Sequence, residues 1–179
     1  MKYLLTFLIT LFSINAYCAE HLRLNSFELV KKMDDKDYKS STCTDLHNYS
    51  VCKLNKDNDD YELTIDKESH VIVAVTKTKK YEDNNSYFRC QAYHSKVSDV
   101  FKKQYNAEEN RSSDRASTFN LKYLDYNYKI ISRCLDSNSN LLSIYLKDFY
   151  SEMLKMKSEE YQKISEDVQN DVNNDLHLQ

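Results

Sequence analysis

The chain of 179 residues contains no glycine, no proline and no tryptophan. The missing glycine removes whole classes of site. A phosphate-cradling P-loop, a dinucleotide G-x-G-x-x-G turn and a G-x-S-x-G nucleophile elbow all need glycine where a Cβ would collide with ligand or backbone. Backbone positions at positive φ must pass to Asn and Asp, the next most tolerant residues. The runs Asn55-Lys56-Asp57-Asn58-Asp59-Asp60 and Asp136-Ser137-Asn138-Ser139-Asn140 are where such turns are expected. No basic stripe is present either, which speaks against nucleic acid as a partner and against polybasic attraction to a membrane. Lys, Asn, Asp, Ser, Ile and Tyr fill the composition instead, a bias that an AT-rich coding sequence produces by itself. The 15 tyrosines are therefore not read as a binding surface on number alone.

The N-terminus carries the strongest positive signal. Met1 and Lys2 precede an uncharged apolar run from Leu4 to Ile14, and the small and polar residues Asn15 to Glu20 end it. A basic tip, a short apolar stretch and a small-residue exit have the build of a secretory signal peptide. The run is short for a membrane anchor. Small residues at −3 and −1 place the expected cut before Ala19, with a cut after Ala16 as the alternative; the bulky Tyr17 disfavours acylation of Cys18. Residues 1–18 are thus expected to be a signal peptide, 19–172 a single domain and 173–179 a flexible tail. Losing Lys2 with the leader leaves 24 basic against 28 acidic residues, a charge of −4.

Export changes the reading of the cysteines. Cys43, Cys52, Cys90 and Cys134 remain after cleavage, an even number in an oxidising compartment, so two disulfides are expected with three possible connectivities. One pairing is 43–52 with 90–134; an alternative, 52–134, would tie the two halves together. Cys43-x3-His47-x4-Cys52 lacks the C-x2-C spacing of a zinc knuckle, and no metal or cofactor is expected. His94 follows Cys90 by one helical turn, yet a bridged Cys90 would be no nucleophile.

Periodicity supplies a coarse architecture. Asn25 and Glu28 have the spacing of a capping box and predict a short helix with Phe27, Val30 and Met33 on one face. Residues 38–48 read as a polar loop, and 49–54 as a strand. Tyr61, Leu63 and Ile65 alternate with polar residues, and Val71–Thr76 is apolar on both faces, so a central strand is expected there. A helix over 86–105 carries Tyr93, Val97, Val100, Phe101 and Gln104 at three-four spacing. Residues 106–117 read as a mobile loop. Strand pattern returns over 119–134, with Leu124, Tyr126, Tyr128, Ile130 and Cys134 on one face, and again over 141–146. Phe149, Met153, Met156, Glu160, Ile164, Val168 and Val172 trace a long C-terminal helix. The expected fold is α+β, an antiparallel sheet of hairpins with helices packed on one face, stapled by disulfides. Ser50-Val51-Cys52 and Ser132-Arg133-Cys134 form a faint internal echo.

No catalytic constellation stands out. Asn55, Asp57, Asp59, Tyr61 and Asp66 mimic the oxygen spacing of a calcium loop, but Asp60 replaces its glycine and Asp66 its bidentate Glu. The sequons at Asn48, Asn84 and Asn110 matter only in a eukaryotic source. The expectation is an exported, secreted or periplasmic, non-catalytic interaction protein, with the amphipathic C-terminal helix as the surface for a protein partner. The alternative is an exported hydrolase whose His94 or His70 meets an acid only in three dimensions. A third reading makes the C-terminal helix an oligomerisation element, to be tested by truncation after Asp148.

Overall fold

A computed structural model describes residues 21–81, 85–113, 115–135 and 139–175. The leader read over residues 1–18, the capping residues Asp83 and Asn84, positions 136–138 of the expected Asp136–Asn140 turn and residues 176–179 of the tail lie outside them. Two short strands come first, β1 (Arg23–Leu24) and β2 (Phe27–Glu28), followed by a six-residue helix α1 (Asp35–Ser40). Strands β3 (Thr42–Leu46), β4 (Tyr49–Lys56), β5 (Asp59–Asp66) and β6 (Ile72–Lys80) lead to α2 (Ser86–Tyr105). Strands β7 (Glu108–Ser113), β8 (Ala116–Tyr123), β9 (Tyr126–Leu135) and β10 (Ser139–Leu146) lead to α3 (Lys147–Asp175).

Strands β3 to β10 form one antiparallel sheet in the order β3-β4-β5-β6-β10-β9-β8-β7. Each half is a meander of four strands followed by a helix, and the halves meet at the β6–β10 seam, where Thr76 lies opposite Ser143. The repetition is one of topology. Cys52 sits in the second strand of its meander and Cys134 in the third of its own, so the Ser-x-Cys echo does not relate equivalent positions.

Period-two alternation sorts side chains between two faces. On the inner face Cys52, Leu63, Val75, Ile144, Ile130 and Phe119 lie in one row across six strands, all at 2% exposure or less. Burying each such side chain contributes roughly 1.5–3 kcal/mol, so this row is the spine of the core. Leu22, Leu24, Phe27 and Leu29 from the N-terminal segment close the inner face beside Val97 and Phe101 of α2. The opposite, outer face is mostly polar, except where Tyr49, Val73 and Ala74 receive Phe149 of α3.

The α+β antiparallel architecture with two disulfides is as expected; the helices expected on one face are instead divided, α2 packing on the inner face and α3 on the outer, where Tyr49, Val73 and Ala74 offer Phe149 an apolar seat. Four local expectations are corrected. The helix expected from Asn25 is the β1–β2 hairpin: Asn25 takes φ 57° in its turn, and Glu28 accepts from the His21 N–H and pairs with Arg23 instead of capping. The helix begins instead at Asp34, whose carboxylate caps Lys36 N–H. The 38–48 loop contains β3, an exposed edge strand whose five polar or exposed side chains carry no burial signal. The 106–117 loop contains β7, the other edge, held by Glu109. The run 119–134 is two strands, β8 and β9, because Leu124 takes φ 53° and turns the chain; it is 53% exposed and leaves the face shared by Tyr128 and Ile130.

Candidate functional site

The disulfides are Cys43–Cys52, across neighbouring strands β3 and β4, and Cys90–Cys134, tying α2 to β9. All four candidate cysteines are therefore consumed. His47 occupies the β3–β4 turn at φ 50° beside a bridge whose sulfurs are bonded to each other, so the Cys43/His47/Cys52 trio forms no metal cradle.

His94 is sealed. It is 2% exposed, between Ser132 and Ser117, which are 1% exposed each. Its Nδ1 lies 2.9 Å from Ser132 Oγ and its Nε2 3.4 Å from Ser117 Oγ. Ser117 donates to Glu109 Oε1 at 2.8 Å, so its oxygen accepts from Nε2–H, and Nδ1 accepts the Ser132 proton. Glu109 also accepts from Ser98 and Lys102, each at 2.8 Å. Burial alone would raise its pKa; the Lys102, Ser98 and Ser117 donors outweigh that and hold it down at about 2. This chain of hydrogen bonds satisfies polar groups between helix and sheet, and it reaches solvent at the Lys102 end, away from His94.

His70 does line a cleft, of about 480 Å³, together with Asp35, Tyr38, Ser50 and Lys67. The one hydroxyl there with an acid partner is turned elsewhere: Ser50 Oγ donates to Asp45 at 3.3 Å. No hydrogen bond joins Ser50, His70 and Asp35 among the described residues.

Lys77 belongs to no motif that singles it out in the sequence. It is buried on the inner face, 2.5 Å from Asp59 Oδ2 and 5.7 Å from the centre of the Tyr61 ring. Burial would drive the ammonium's pKa down, but Asp59 and Tyr61 overcome that and keep it raised. Tyr61 in turn accepts from Asn25 at 2.7 Å. Asp59 is thereby withdrawn from the calcium-like run, and Asp57 and Asn58 at φ 55° and 63° form the β4–β5 turn of that run. The one cue is position: Lys77 lies two residues beyond buried Val75 on the same face of β6, where a lone cation demands an acid.

A further cleft and an exposed apolar strip belong to α3. Phe149, Met153 and Met156 pack on the outer face, and Tyr49 donates to Glu152 at 2.5 Å. The helix then passes the β3–β4 turn, forming a cleft of about 630 Å³ with Leu46, His47 and Asn48. From Lys157 to Glu166 every residue is exposed, and Leu154 (49%), Tyr161 (73%), Ile164 (54%) and Val168 (54%) offer apolar surface to solvent. At about 100° per residue, Tyr161, Ile164 and Val168 are turned roughly 60–120° from Phe149. Ile164 borders the packed stripe beside Met153, and with Tyr161 and Val168 it forms a second stripe turned away from it. Among the described residues no helix is long and apolar enough to cross a membrane, and the disulfides are compatible with an oxidising compartment. Comparison with protein-family models, with curated proteins and with solved structures finds no match.

Proposed function

We infer that this is an exported, secreted or periplasmic, interaction protein without catalysis, which meets a protein partner through α3. One observation carries the reading: a disulfide-stapled domain presents a long helix whose second apolar stripe, Leu154, Tyr161, Ile164 and Val168, covers nothing of its own. Contiguous exposed apolar surface on a polar helix is what partner helices and grooves recognise. The hydrolase alternative rests on the His70 cleft, where the hydroxyl is committed to Asp45.

Truncation after Asp148 would remove Phe149, which is 5% exposed, and so test folding as much as binding. A photo-crosslinking amino acid at position 161 or 168 avoids that. In the producing cells the expected result is a discrete protein adduct from 161 and 168 and none from 155, on the opposite side of the helix. Equal yields at the three positions, or none, would refute the reading. Mass spectrometry of the same material tests export: an N-terminus at Ala19 and no alkylatable thiol before reduction are expected.

A further inference from the structure

Two surfaces of this molecule complement each other in charge. The first is the outer face of β8, β9 and β10. Leu121, Tyr128, Ile130 and Ser132 point inward, so Lys122, Lys129 and Arg133 point outward. None of the three makes an ion pair among the described residues; Lys129 donates to Asn120 Oδ1 at 3.2 Å. Half-buried Ile131 and Leu141 lie between them on the same face. The other half of that face behaves differently: Lys53 pairs with Glu62 at 3.6 Å and Lys80 with Asp60 at 3.5 Å, neutralising it in place. Three uncompensated cations thus gather on one patch of a chain with net charge −3.

The second surface is the distal half of α3. From 164 to 175 the sequence carries Glu166, Asp167, Asp171 and Asp175 and neither Lys nor Arg. Ile164 and Val168 are exposed on this segment.

We propose that the acidic distal half of α3 from one copy of this chain docks on the outer face of β8–β10 of a second copy. The proposal rests on α3 being a contact surface and names what it contacts. Ile164 and Val168 cover Ile131 and Leu141, and Asp167, Asp171 and Asp175, at helix positions on that same side at about 100° per residue, bring negative charge to Lys122, Lys129 and Arg133. The same packing already exists within the chain, where Phe149 of α3 sits on the outer face against Tyr49, Val73 and Ala74. A reciprocal exchange closes as a dimer, whereas a one-way contact propagates into longer species. Twelve helical residues span about 18 Å, a small interface, so association is weak and, being steered by exposed charges, falls with salt.

Sedimentation of the mature protein at hundred-micromolar concentration and low salt is expected to show mass rising with concentration, at least tenfold weaker in high salt. K129E/R133E, at a half-buried and an exposed position, and D167K/D171K on the distal helix are each expected to stay monomeric. Their equimolar mixture is expected to associate, because one retains an acidic helix and the other a basic face. A monomeric wild-type protein, or a mixture as monomeric as its components, would overturn the proposal. Crosslinking from position 161 separates this from the broader reading. An adduct of twice the chain mass agrees with both, an adduct with a different protein sinks only self-docking, and no adduct sinks both.

Discussion

Among the described residues eight hold positive φ: Asn25, Val30, His47, Asp57, Asn58, His70, Asn106 and Leu124. Four are Asn or Asp, whose short polar side chains tolerate the left-handed region. The other four must endure it, at about 1–2 kcal/mol each. Val30 has a reason to, since its N–H reaches Ile72 O at 2.8 Å and joins the N-terminal segment to the sheet. Leu124 has no such contact to protect and is half exposed. Leu124→Asn is therefore expected to stabilise by about 1 kcal/mol and to raise Tm by about 2–4 °C in a thermal melt. At Lys77 the sign reverses. Lys77→Met leaves Asp59 buried and unpaired and is expected to cost about 3–5 kcal/mol, measured by urea unfolding, whereas D59N/K77M should recover much of the loss.

Among the elements, α2 is the one most fully legible in advance. Its three-four spacing survives as Val97 and Phe101, both buried, although Val100 turns partly to solvent. Strands with one apolar face, β5 and β10, were equally visible, because burial imposes the alternation that sequence shows. Edge strands β3 and β7 were not, since side chains exposed on both faces leave no periodic trace. The β1–β2 hairpin misled for a different reason: a capping box and an Asx turn begin with the same residue types, and only tertiary contact with Tyr61 and Arg23 decides between them. What anchors β7 to α2 is Glu109, and its titration has a definite sign. A carboxyl held below its usual 4.5 contributes stability that is complete above that pH and is lost as pH falls towards about 2. Glu109→Gln is expected to cost about 1–2 kcal/mol at neutral pH. In urea titrations across pH 5 to 2 the variant's deficit should shrink towards zero.

For the whole molecule, the bridges set the stability reserve. Chain-entropy arguments give about 2.7 kcal/mol for the short Cys43–Cys52 loop and about 4 kcal/mol for the Cys90–Cys134 loop. C90S/C134S should therefore lower the unfolding free energy more than C43S/C52S, as read by denaturant titration at constant m-value. Function was less legible than fold. His94 and His70 stand out in sequence as reactive groups, yet one is walled in by Ser117 and Ser132 and the other faces no activated hydroxyl. The seam between β6 and β10 has a kinetic meaning as well. Each meander zips from neighbours close along the chain, whereas Thr76 must find Ser143 at a sequence separation of 67. Loop-closure entropy delays that step. The two halves would condense first and separately, and their late annealing would govern how fast the native state is reached.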